Sequence, residues 1–164
     1  MINYGYISIS FTDNDVKSIS ILVDDICNKD KLYYSPVINY IQGKVSGKLH
    51  LTIFYGLINN KVDKYSLNEY IKNIKLKHLM LGRIYLKWGY NNLYKILCIE
   101  VLDDNGELKL IYDGFKDFDY ERSVQHEFDP HLTLAYVKPD FGLKYSHMPF
   151  QKMLKVKEIC YFEN

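Results

Sequence analysis

His50 is followed two places later by Thr52, and His131 by Thr133, within two blocks that agree over most of their length. The first reads His50-Leu51-Thr52-Ile53-Phe54-Tyr55 and the second His131-Leu132-Thr133-Leu134-Ala135-Tyr136. They share His, Leu, Thr and Tyr and keep an aliphatic residue at the fourth place. The chain has five histidines and only three threonines. Random placement would give two such His-x-Thr pairs about a few times in a thousand, before the Leu and Tyr matches are counted. One His-x-Thr on a strand is ordinarily a half-buried surface pair without chemistry, whereas two matched copies point to a shared task.

The task these residue types suit is proton transfer around a phosphate. With an ordinary pKa of about 6.5, histidine offers both protonation states near neutrality, so two imidazoles can serve as base for an attacking oxygen and acid for a leaving one. Threonine hydroxyls can donate to non-bridging phosphate oxygens and stabilise the charge of a pentacoordinate transition state. The expected catalytic set is His50, Thr52, His131 and Thr133, with no metal and no cofactor, since no His/Asp/Cys cluster has metal-ligand spacing. A carboxylate near His131, from Asp129 or Glu127, is expected at most to orient the ring. His78, His126 and His147 have no matched partner and are expected on surfaces or at strand ends.

These groups need strands to hold them. Residues two apart on a strand share a face and lie roughly 7 Å apart, so His50, Thr52 and Phe54 are expected on one side. Leu51, Ile53 and Tyr55 take the other, and Leu132, Leu134 and Tyr136 are expected to anchor the second copy in the core. Upstream, Tyr4 to Phe11 reads as a strand, and a helix starts at Thr12 to Asp15 with Val16, Ile19, Leu22, Val23 and Ile26 at helical spacing. Asn28 to Gly47 has no clear period and reads as a long connection, a candidate flap. A strand from Leu49 to Gly56 is followed by a helix from Ser66 to Ile74, with Ser66 and Glu69 as capping box. His78 to Trp88 and Leu93 to Leu102 form a hairpin around Gly89-Tyr90-Asn91-Asn92. Gly106 to Phe115 reads as a helix, although Asn105-Gly106 would also suit a turn. His131 to Val137 and Met153 to Phe162 complete the strands, and the order points to an α+β fold with helices packed on antiparallel sheet.

At 164 residues and 48% hydrophobic content the chain fits a single domain, 1–164, that folds unaided. Its formal charge of +1 supplies no broad field for long DNA or RNA, so a small or short phosphate-bearing ligand fits better. Cys27, Cys98 and Cys160 are scattered and odd in number, which argues against disulfides and zinc and for a cytoplasmic setting. No apolar run approaches the roughly 20 residues of a membrane span, and no signal peptide or membrane partner is expected. For base recognition, Trp88, Tyr6 and Phe54 are the aromatic candidates. Lys138, directly after the second motif, leads Lys48, Arg83 and Lys144 as a contact for outer phosphates. Oligomeric state is not legible.

The paired motifs, 81 positions apart, resemble the signature of the 2H phosphoesterase superfamily. The Lys48-Leu49-His50-Leu51-Thr52 approach and the block from Asp129 to Val137 carry the likeness, and LigT-like enzymes and short bacteriophage members are the nearest in pattern. The resemblance implies two pseudo-symmetric lobes of antiparallel strands with flanking helices around a central cleft. It also implies a metal-independent phosphodiesterase acting on small cyclic, 2′-5′ or 3′-5′ linked nucleotides. A phage enzyme degrading host immune cyclic oligonucleotide signals, active in the host cytoplasm, is the specific expectation. An RNA 2′,3′-cyclic phosphodiesterase is the enzymatic alternative, and a non-catalytic module sequestering a nucleotide is the alternative of another class.

Overall fold

The computed structural model describes residues 2–45, 49–144 and 149–163; Lys48 and His147 lie outside them. Among the described residues six strands and three α-helices follow in the order β1 (Tyr4–Phe11), α1 (Asp13–Ile26), β2 (His50–Ile58), α2 (Lys64–Asn73), β3 (His78–Trp88), β4 (Lys95–Leu102), α3 (Glu107–Gly114), β5 (His131–Val137) and β6 (Pro149–Glu163). The class is α+β, with all strand pairings antiparallel. The strands form one sheet in the order β2-β1-β6-β3-β4-β5.

β6 organises the molecule. Its first part pairs with β3 and its second with β1, so one long strand belongs to two lobes. Each lobe repeats strand, helix, motif strand: β1-α1-β2 in one and β4-α3-β5 in the other. The motif strands are therefore the two outer strands of the sheet, yet they touch each other, which requires the sheet to curl until its ends meet. This is the central cleft between pseudo-symmetric lobes. The helix of each lobe packs near the other lobe's motif strand, α1 on β5 and α3 on β2. Ile7, Ile9, Leu51, Leu97, Ile99, Leu132 and Leu134, each at most 1% exposed, lie in one continuous core.

Where the edges could fray, the chain covers them. The 31–45 connection lies along β5, with Tyr33 and Val45 donating backbone N–H to Tyr136 and Leu134 carbonyls and Tyr136 donating to Gly43. Pairing of this kind answers the unpaired groups of an outer strand. On β2, Gly56 accepts from the Glu121 N–H, docking the loop that leads to β5.

Several local expectations shift. The cap of α2 is Asp63, whose carboxylate accepts from the Tyr65 and Ser66 N–H groups and the Ser66 hydroxyl; Glu69 pairs instead with Lys72. A carboxylate one turn earlier satisfies the orphan donors better than a serine inside the helix. β2 runs past Gly56 to Ile58 because that glycine takes φ +96 within the strand. The segment after Asn105-Gly106 is helix, with the Asp103 carboxylate accepting from the Leu108 and Lys109 N–H groups.

The largest correction concerns the face of each motif residue. In β1–β2 the register passes from Ser8↔Thr52 to Ile7↔Phe54, leaving Ile53 unpaired; in β4–β5 it passes from Cys98↔Thr133 to Leu97↔Ala135, leaving Leu134 unpaired. Each motif thus carries a β-bulge at the same place. A bulge lets two successive residues face one side and reverses the alternation beyond it. Ile53 and Phe54 are both buried, as are Leu134 and Ala135, while Tyr55 and Tyr136 turn to the cleft side. Tyr136 and Tyr55 are therefore not core anchors, and Phe54 does not share the side of His50.

Candidate active site

One cavity of about 610 Å³ is lined by His50 and Thr52 from β2 and by His131, Thr133 and Tyr136 from β5. Tyr40, Gln42, Lys44 and Val45, from the connection laid along β5, close its side. Residues 81 positions apart are brought together because β2 and β5 are the two ends of a curled sheet. The strands behind them repeat the pattern: Ser10, Ser8 and Tyr6 stand opposite His50, Thr52 and Tyr55, as Glu100, Cys98 and Ile96 stand opposite His131, Thr133 and Tyr136.

His131 has a defined hydrogen-bond state. Its Nε2 lies 2.8 Å from the Lys87 ammonium and its Nδ1 2.7 Å from the Asp129 carbonyl oxygen. An ammonium can only donate and a carbonyl can only accept, so Nε2 is the bare acceptor and Nδ1 carries the proton. The ring is neutral in this arrangement. Burial is the main cause holding its pKa below the ordinary histidine value, and the Lys87 charge pushes the same way, against the Asp129 carbonyl and carboxylate. The Asp129 carboxylate stands 3.6 Å from Nδ1, as the expectation of an orienting acid allows.

A second cavity of about 950 Å³ shares Tyr40, Thr52, His131 and Tyr136 with the first. Tyr55, Tyr112, His126 and Phe128 give it aromatic walls, and Lys87 and Gln125 contribute polar groups. His126, expected to be incidental, lies against Tyr55 with ring centroids 6.2 Å apart. On the other flank, a groove between β1, β6 and α1 contains Tyr6, His50 and Phe162, and Tyr6 stacks on Phe162 at 5.3 Å.

The remaining binding candidates offer the cavities less. Phe54, 1% exposed, packs on Tyr112, Phe115 and Tyr120; it joins the inner wall of the second cavity but presents no free ring face. Trp88 is next to Lys87 in β3 and so points to the opposite face, where the Lys95 ammonium sits 4.8 Å from its ring centroid. Lys138 is exposed just past β5 and lines none of these three cavities, because the chain there turns to bond Lys31. Cys98, fully buried opposite Thr133, has its pKa pushed up to about 12 by burial and stays a thiol. Among the described residues no three metal-capable side chains gather, and no helix is long and apolar enough to cross a membrane.

Sequence reasoning missed Lys87, Tyr55, Tyr136 and His126. Lys87 is far from both motifs in the chain, and its neighbour Trp88, the aromatic candidate, drew notice away from it. The tyrosines were visible in the repeat but were assigned to the wrong face by strict alternation.

No family model matches the sequence, and no curated protein matches it. Two solved structures of Usb1 from Kluyveromyces marxianus are similar in shape, each 13% identical with a TM-score of 0.49. The first covers 84% of this chain and 72% of Usb1; the second, which contains uridine monophosphate, covers 83% and 71%. Likeness at that level carries no argument about activity, which rests on the cavity and the residues that line it.

Proposed function

We propose that the chain is a phosphodiesterase of the 2H type, acting on a small nucleotide with His50 and His131 exchanging protons across a phosphate held by Thr52 and Thr133. One observation carries this reading: all four side chains line a single cavity of about 610 Å³. The phosphate sits between the two imidazoles, one hydroxyl from each lobe donating to its non-bridging oxygens. One imidazole takes the proton of the attacking oxygen as that oxygen bonds to phosphorus. The other protonates the leaving oxygen as its bond to phosphorus breaks.

The aromatic cavity alongside favours a nucleotide over a bare phosphate, since a base stacked on tyrosine or phenylalanine gains about 1–3 kcal/mol. Cyclic dinucleotides, 2′-5′ linked oligomers and 2′,3′-cyclic RNA ends all fit this description, as does degradation of an immune signal by a phage enzyme. Incubation with a panel of these compounds, read by mass spectrometry, tests the proposal. Cleavage of at least one is expected, unaffected by chelator and reduced by about a hundredfold or more in His50→Ala and His131→Ala. Full activity in either variant, or loss of activity in chelator, overturns the assignment. Tight binding of a nucleotide that emerges unchanged supports a sequestering module instead.

A further inference from the structure

We infer that Lys87 prepares His131 for its role: its ammonium, held against Nε2, keeps that ring ready as the base and then passes to the phosphate. The inference rests on the phosphodiesterase reading above and adds a positioning residue to it.

The rows behind the motif tyrosines differ between the two lobes. Tyr55 is followed across the sheet by Tyr6 and then Phe162, whereas Tyr136 is followed by Ile96 and then Lys87. Phe162 stacks on Tyr6, while Lys87 reaches forward to His131. Lys87 thus stands where the other lobe has Phe162, and its ammonium meets the His131 ring atom that faces away from the Asp129 carbonyl.

Proton balance gives the ammonium a second position. When the attacking hydroxyl, from water or a ribose, bonds to phosphorus, its proton goes to Nε2 of His131, the atom Lys87 occupies. An imidazolium and an ammonium at 2.8 Å would repel, so the ammonium must leave. A non-bridging phosphate oxygen is the anionic acceptor at hand, because Lys87 lines the cavity that also contains Thr52 and His131. The leaving oxygen takes its proton from the other imidazole of the pair, that of His50, as its bond to phosphorus breaks.

The other titratable or charged groups around His131 are Tyr85 on β3, Cys98 and Glu100 on β4, Asp129 before β5, Tyr136 on its own strand, and His50, Tyr40 and Lys44 around the cavity. Glu100 is tied to Arg83, and Asp129 draws His131 toward the charged form. Lys87 is the group bonded to Nε2 of this ring.

The experiment is a histidine NMR titration of the full chain without nucleotide, in wild type, Lys87→Met and Lys87→Arg, followed by the pH dependence of kcat/KM on whichever nucleotide is cleaved. Lys87→Met is expected to raise the His131 midpoint by about one pH unit and Lys87→Arg to restore it, with the acid limb of kcat/KM moving in step. An unmoved midpoint in Lys87→Met overturns the inference. A midpoint that moves while the acid limb stays fixed also overturns it, by giving the base role to His50. If wild type cleaves nothing, the phosphodiesterase reading fails, and the NMR midpoint still decides whether Lys87 governs His131.

Discussion

At the scale of single residues, the two histidines of a repeated motif occupy unlike surroundings. His131 is wedged between an ammonium and a carbonyl, with 24% of its side chain exposed, and the motif that announces it conveys none of this. Its lowered pKa has a consequence for stability that needs no substrate. In the unfolded chain the ring takes up a proton near the ordinary value of about 6.5, and in the folded chain only at lower pH. Between those two values the unfolded state binds more protons, so stability is complete above about 6.5 and falls as pH drops through the window. Melting temperatures of wild type and His131→Asn should therefore converge on acidification, with wild type losing more between pH 7.5 and 5. Parallel losses in the two proteins would show that His131 does not contribute.

At the scale of elements, β1, β3 and β5 were legible to the residue, because alternating apolar runs bounded by Gly, Pro or Asn leave little freedom. The histidine and threonine faces were legible for the same reason. Bulges were not: Ile53 and Leu134 look like ordinary strand residues, and only the partner strand's register reveals that each is unpaired. That blind spot sent Phe54 to the cleft and Tyr55 and Tyr136 to the core. Lys87 was illegible because its link to His131 spans 44 positions and depends on the β3–β4–β5 pairing. Gly56 is the further irregularity of β2, and it has a mechanical role. Its φ is +96, and an added Cβ would stand 3.0 Å from Val124 Cγ2 and 3.3 Å from the Glu121 carbonyl oxygen. Glu121 and Val124 begin the loop whose later residues, Gln125 to Pro130, wall the larger cavity. Gly56→Ala is expected to cost about 1–2 kcal/mol in denaturant unfolding and to raise KM more than it lowers kcat. An unchanged KM would detach the loop from substrate binding.

At the scale of the whole molecule, the site exists only if the two lobes keep one relative position, since each supplies half of it. A hinge between them would separate His50 from His131, and the construction of β6 argues against one. The strand pairs Lys155 with His78 of β3 and Val156 with Phe11 of β1, so it crosses between lobes within one residue. The crossing is clamped from both sides: the Lys155 N–H donates to the Asp15 carboxylate, the Thr12 N–H to the Lys155 carbonyl and the Val156 N–H to the Lys77 carbonyl. Leu154, fully buried beside Leu79, sits just before the crossing within the core common to both lobes. The lobes should therefore open together. Native-state hydrogen exchange is expected to give one opening free energy for the amides of Ile7 and Ile9 in β1 and of Leu97 and Ile99 in β4. Leu154→Ala should lower both sets equally, by about 2–5 kcal/mol. A loss confined to one set would mean that the lobes unfold separately, and the cavity between the motif strands would then depend on a ligand to draw its halves together.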